Sequence, residues 1–241
     1  MTDELYGDDL AYIHDSGFSH HAEGTAPGVI AALRTARLST GLVVELGCGG
    51  GVTARRLAEA GYDVIGVDQS AALLRLARKR VPAARFEHGS IFDFPVPDAT
   101  AVLSLGECLG YRPDRRGGTG AMMTALQRIA RALPRGGLLI FDLVTDRVAA
   151  QATYVREGDD WFLVSRNTKE SSGAWLRREI TTFRRRGSGY RRRDETHHVQ
   201  LYRAAEIARR VRQLGFTVQV RRSLESYELA PGRALFLARK L

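Results

Sequence analysis

From residue 42 onward, short apolar runs alternate with amphipathic stretches. LVVEL (42–46) has the length of a strand, and VTARRLAEAG (52–61) follows with helical spacing and a closing Gly61. DVIGVD (63–68) predicts a second strand. SAALLRLARKR (70–80) predicts a helix with Ser70 as its N-cap. ARFEHG (84–89) and TAVLSLG (100–106) predict further strands, TGAMMTALQRIARAL (119–133) a helix stopped by Pro134, and GGLLIFDLV (136–144) another strand. Strand and helix in strict alternation imply a parallel sheet covered on both faces.

The rhythm then changes. DWFLVSRNTKE, AWLRREITTFRRR and YRRRDETHHVQLYR predict three strands joined at SSG (171–173) and GSG (187–189). They form an antiparallel meander inserted into the α/β pattern. AAEIARRVRQLG (204–215) predicts a helix, and FTVQVRRS (216–223) and RALFLARK (233–240) two closing strands. The first 38 residues predict helices with a loop around GTAPG (24–28). The expected organisation is a single α/β domain. It has a helical cap (1–38), a core (39–150), a β insert (151–203) and a closing helix with strands (204–241).

Composition narrows the class. The 241 residues are 44% hydrophobic, which suits one well-packed domain. No apolar run approaches the roughly 20 residues of a membrane span. The start, MTDELYGDDLAYIHDSG, is acidic and lacks the features of a signal peptide, so a cytoplasmic protein is expected. Two cysteines, Cys48 and Cys108, fit a reducing compartment. The net charge of +9 is nearly all arginine. It permits an anionic partner, but with abundant Ala and Gly it reads as codon bias, and nucleic acid is not an expected partner.

The chemistry concentrates in VVELGCGGG (43–51). Glu45 ends a buried-looking strand, and Gly47, Gly49 and Gly51 follow as E-x-G-x-G-x-G. Glycines let a chain turn sharply and let a ligand approach the backbone. The next helix begins at about residue 51 and aims its free N–H groups at that ligand. Asp68 ends the next strand, where an acidic residue accepts hydrogen bonds from ribose hydroxyls. A dinucleotide site would need glycine at position 52, which is valine, and Glu45 would repel a pyrophosphate. A nucleoside with a cationic end tolerates the carboxylate, which points to S-adenosyl-L-methionine.

With these residues the chain resembles the class I S-adenosylmethionine-dependent methyltransferases. VVELGCGGG looks like their first motif and VIGVDQS like the second. HGSIFDF (88–94) sits at their adenine loop, LSLGECLGY (103–111) at their fourth-strand motif, and LPRGGLLIFD (133–142) at their turn into strand five. The resemblance implies a Rossmann-like seven-stranded sheet with an antiparallel last strand. It implies a cofactor site of Tyr12, Glu45, Gly47, Cys48, Gly49, Gly51, Asp68, Gln69, Ser90, Ile91, Leu105 and Gly106. Ser90 stands where the family often has Asp. The meander and helical N-terminus resemble more loosely the glycine N-methyltransferase-like and sugar amine methyltransferase-like branch.

The acceptor is expected beyond the carboxyl ends of strands four and five, under the N-terminal segment. Glu107 follows strand four and would position an amine or act as base. Tyr111 would cap the pocket. His14 lies in the aromatic-rich LAYIHDSGF, with Tyr12 and Phe18 as walls. Of His197 and His198 on one strand only one can face inward, and in this branch a histidine after an acidic residue often enters the pocket, which favours His197. No histidine spacing supports a metal. RRRGSGYRRR (184–193) reads as a solvated hairpin edge. The expected reaction is methylation of an N or O atom of a small molecule, with a homodimer allowed. The rivals are RNA or peptide methylation through the arginine hairpin, a catalytically silent cofactor-binding partner, and a dehydrogenase.

Overall fold

The computed structural model describes residues 5–112 and 118–241. Its main sheet has seven strands. β1 (Leu42–Leu46), β2 (Asp63–Asp68), β3 (Arg85–His88), β4 (Ala101–Ser104) and β5 (Leu138–Val144) are parallel. β10 (Phe216–Arg221) and β13 (Arg233–Lys240) complete it in the order β10-β13-β5-β4-β1-β2-β3, with β13 antiparallel to both neighbours. Side chains alternate between faces. Val44, Val102, Leu139 and Phe141 meet α5 (Thr119–Ala132) and α6 (Ala204–Gln213) on one side. Val43, Ala101, Leu103 and Ile140 meet α2 (His20–Thr35), α3 (Val52–Glu59) and α4 (Ala71–Arg80) on the other. Ser70 caps α4 as expected, its hydroxyl accepting from Leu73 N–H at 3.1 Å.

The meander has four strands where three were expected: β6 (Gln151–Gly158), β7 (Trp161–Lys169), β8 (Trp175–Arg186) and β9 (Gly189–Gln200). β6 is exposed along almost its whole length, so it carries no apolar alternation to read. The expected loop at GTAPG is also absent, because α2 runs through it with Pro27 inside. Its glycines serve packing. A Cβ on Gly24 would lie 2.1 Å from the Tyr227 ring, and one on Gly28 would lie 2.5 Å from Leu224. Those partners belong to a small hairpin, β11 (Ser223–Leu224) with β12 (Tyr227–Glu228), which the sequence reading did not foresee.

The helix α1 (Asp8–Gly17) bridges the core and the meander. Leu10 and Ile13 pack on Trp161, Leu163 and Ile180. Buried Asp9 receives Arg184, Arg186 and Arg191 at 3.4, 3.1 and 2.6 Å. The arginine hairpin is therefore not simply a solvated edge, since one of its faces clasps α1. On the other side Asp15 pairs with Arg80 at 2.8 Å, and Ser70 donates to Tyr6 carbonyl at 2.7 Å. Asp9→Ala leaves three guanidiniums together without their acid. It is expected to speed amide hydrogen exchange across α1 by at least about tenfold, the order of one lost charge-assisted hydrogen bond. Unchanged exchange there would mean that the clasp does not hold the helix. No described helix is long and apolar enough to cross a membrane.

Candidate active site

The site lies at the carboxyl ends of β1, β2, β4 and β5. Gly47, Gly49 and Gly51 all have positive φ, at 84°, 53° and 76°. They do different work. A Cβ on Gly49 would meet nothing within 4 Å, so its backbone faces open space. A Cβ on Gly47 would strike Cys108 Sγ at 2.3 Å, and one on Gly51 would sit 3.0 Å from Ala77. Gly51 thus lets α3 approach α4 and does not line the cleft, which corrects its expected place at the cofactor.

Two buried acids flank the turn. Asp68 accepts from Gly49 N–H and from Ser70 N–H, both at 2.8 Å. Burial raises its carboxyl, and these N–H groups pull it back part-way. Glu45 is 4% exposed, and its Oε2 has no hydrogen-bond partner. Burial pushes its carboxyl up to about 8; the Thr53 hydroxyl and Ala54 N–H lower it and Asp68 raises it. A buried carboxyl oxygen without a partner is expensive unless a ligand supplies one.

The cleft above this turn is lined by Glu45, Gly47, Cys48, Gly49, Asp68, Gln69, Ser90, Ile91, Leu105 and Gly106. All of these were expected at the cofactor. Ser90 accepts from Phe92 N–H at 3.2 Å, and Phe92 itself joins the wall. Thr53, Leu73 and Asp15 also line the cleft and were missed. Tyr12 does not reach it. Two residues from His14, it lies about 200° round the helix; its hydroxyl donates to Asp160 at 3.1 Å and Arg184 covers its ring.

A second chamber opens beside the first, between α1, α2 and the meander. Tyr6, His14, Phe18, His21, Gly106 and Tyr111 line both. His14 therefore sits at the junction of the two. Burial pushes its imidazole down to about 4, so the ring is neutral near pH 7. Tyr111 is also there, and burial pushes its phenol up.

Glu107 departs from its expected role. Gly106 N–H and Glu107 N–H both donate to Asp142 Oδ1, at 2.7 and 3.0 Å, which holds Glu107 at φ +62°. The residue is 1% exposed. Arg178 Nη1 donates to Oε1 at 2.5 Å, Tyr111 O–H donates to Oε1 at 3.3 Å, and Arg233 Nη2 lies 2.9 Å from Oε2. Burial alone would raise this carboxyl, but the two guanidiniums overcome it and hold it at about 2. A carboxylate so held is a poor base. It organises two arginines rather than an amine.

His197 is fully buried, and His198 points outward toward Glu170 at 3.5 Å. His197 does not reach either chamber's wall, however. Its ring packs on Tyr6 and Tyr111, with centroids 5.1 and 5.7 Å away, and its Nε2 meets Glu195 at 2.9 Å. Glu195 in turn accepts from Tyr6 N–H and Gly7 N–H at 2.8 and 3.1 Å. The histidine packs behind Tyr6 and, through Glu195, against the turn that leads into α1. Sequence spacing could not show that Tyr6, beyond its reach by 191 residues, would stand in front of it. Among the described residues no group of acids, cysteines and histidines is arranged to hold a metal.

Residues 43–137 match the family model described as a methyltransferase domain. That stretch, which holds the glycine turn, Glu45 and Asp68, is the part of the chain that resembles a methyltransferase domain. A trans-aconitate 2-methyltransferase of Afipia carboxidovorans is 32% identical over 121 residues, which are 48% of this chain and 44% of that protein. The chain thus spans less than half the length of the first curated relatives it matches. Over whole chains, a methyltransferase from Clostridium acetobutylicum superposes with a TM-score of 0.80 at 17% identity, covering 96% of this chain and 97% of that one. A sugar N-methyltransferase from Streptoalloteichus superposes at 0.78 and 22% identity, covering 98% and 96%. At such identities the likeness establishes the fold.

Proposed function

We propose that this protein is an S-adenosylmethionine-dependent methyltransferase acting on an N or O atom of a small molecule. The observation that carries the reading is the unpaired Oε2 of buried Glu45, facing the same cleft as Asp68. The residues fit the cofactor. Glu45 would receive its ammonium, the Gly49 backbone would lie against it, Asp68 would take the ribose hydroxyls, and Ser90, Ile91 and Phe92 would border the adenine. When bound, the cofactor supplies an electrophilic methyl group on a sulfonium. The protein aligns the acceptor in the adjoining chamber and excludes water with α1 and α2. Its neighbours in sequence include methyltransferases of a small acid and of glycine, and its neighbours in fold include sugar N-methyltransferases. The arginine hairpin gives RNA little support, since Arg184, Arg186 and Arg191 are engaged by Asp9.

Radiolabelled S-adenosylmethionine incubated with a panel of small amines, alcohols and carboxylates tests the reading. Label transferred to at least one member supports it; transfer only to RNA or peptide contradicts it. Asp68→Ala is expected to weaken S-adenosylhomocysteine binding by about tenfold or more, the order of one charge-assisted hydrogen bond. Calorimetric affinity unchanged in that variant would remove Asp68 from the ribose.

A further inference from the structure

Resting on that reading of the site, we propose that the methyl acceptor is a carboxylate, held by the arginines of the second chamber, and that the product is a methyl ester. Arg156, Arg178 and Arg233 all line this chamber, against one lining acid, Glu107. Behind it, Asp142 takes Arg233 Nη1 at 3.2 Å. Three guanidiniums thus face two carboxylates, and both acids are already engaged.

The free donors point the same way. Arg178 gives Nε to Asn167 at 3.2 Å and Nη1 to Glu107 and Tyr111, leaving Nη2 without a partner among the described residues. Arg156, exposed on β6, has no acid or hydrogen-bond partner among the described residues. His21 adds a third donor. Its Nδ1 lies 3.2 Å from the Tyr227 hydroxyl, and its Nε2 is buried with no partner. With the phenol, the stronger acid, donating to Nδ1, the ring proton sits on Nε2 and needs an acceptor. An oxygen-rich anion satisfies all three, and guanidinium suits carboxylate geometry.

The buried titratable groups of the chamber's interior are poorly placed to take a proton, and His20 lines it only at an exposed edge. Glu107 is ionised but locked between arginines, the His14 and His21 rings are desolvated and reluctant to charge, and Tyr6 and Tyr111 are held as phenols by burial. An ammonium or hydroxyl acceptor would have to lose a proton here. A carboxylate does not. Its oxygen gains the methyl carbon as the sulfonium carbon–sulfur bond breaks, the bonding electron pair stays on sulfur, and no proton moves.

The test uses the full chain saturated with S-adenosylhomocysteine. Calorimetry with trans-aconitate, glutarate and benzoate is compared with benzylamine and cadaverine. At least one carboxylate is expected to bind about tenfold or more tighter than either amine, and Arg156→Gln to weaken it about tenfold. Thermal melting reports that the variant is folded. With labelled S-adenosylmethionine, the product from that carboxylate should release its label as methanol in alkali. Binding of S-adenosylhomocysteine with no carboxylate binding at millimolar concentration overturns the proposal. So does preference for the amines, an alkali-stable product, or affinity unchanged in folded Arg156→Gln. Absence of S-adenosylhomocysteine binding would instead sink the methyltransferase reading itself.

Discussion

Glu107→Gln is expected to lower the melting temperature by about 6–20 °C, the largest effect of a single change in the chamber. The substitution keeps the shape and removes the charge. Arg178 and Arg233 are then left largely buried, one of them with no acid, and breaking a buried pair costs about 3–5 kcal/mol. In a chain of this size each kcal/mol moves the midpoint by about 2–4 °C. The pH dependence has a definite sign. Glu107 is held at about 2 in the folded chain, below its ordinary value, so its contribution is full above that ordinary value and fades as pH falls toward 2. The gap between wild type and variant should therefore shrink in acid. Thermal unfolding of both proteins from pH 7 down to pH 3 measures this; a loss under about 2 °C at pH 7 would show that the arginines do not depend on this acid.

The second large effect concerns Glu45→Gln. Burial holds this carboxyl near 8, so in the free protein below that pH it carries a proton. An arriving ammonium favours the ionised form and displaces the proton. Wild-type affinity for S-adenosylhomocysteine should then rise with pH, by at most about tenfold per unit, levelling near pH 8. The variant, with nothing to ionise there, should lose this dependence and bind more than about tenfold weaker at pH 8. Stability of the free protein moves the opposite way. A folded-state value raised above the ordinary one gives stability that is full below the ordinary value and lost as pH rises toward 8. Titrations at pH 6, 7 and 8 decide the matter. Parallel affinities in the two proteins would place the ammonium elsewhere.

The parts that were legible in the sequence are those whose signal is local. The strand–glycine–helix unit at 42–61 and the strand ending in Asp68 carry their periodicity and turn residues within a few positions. Glu45 stood out because an acid in an apolar strand needs a reason. Glu107 was legible as a site residue but not in its role, since its partners Arg178 and Arg233 come from β8 and β13, far along the chain. Tyr12 was misplaced because an aromatic-rich stretch was read without its helical phase. The GTAPG stretch was misread because glycine and proline look like breaks, while here glycine makes room for Tyr227 and Leu224. β6 was missed because an exposed strand has no buried face to pattern. The arginine hairpin's hold on Asp9 spans about 175 residues and leaves no local mark.

The central claim is that the cleft at the first βα turn holds a sulfonium nucleoside between Glu45 and Asp68. Calorimetric titration of the full chain with S-adenosylhomocysteine, beside NAD, tests it most directly. Saturable one-to-one binding of S-adenosylhomocysteine, weakened in Asp68→Ala and Glu45→Gln, with no heat from NAD, is the predicted result. Silence toward S-adenosylhomocysteine, or binding of NAD in its place, would contradict it.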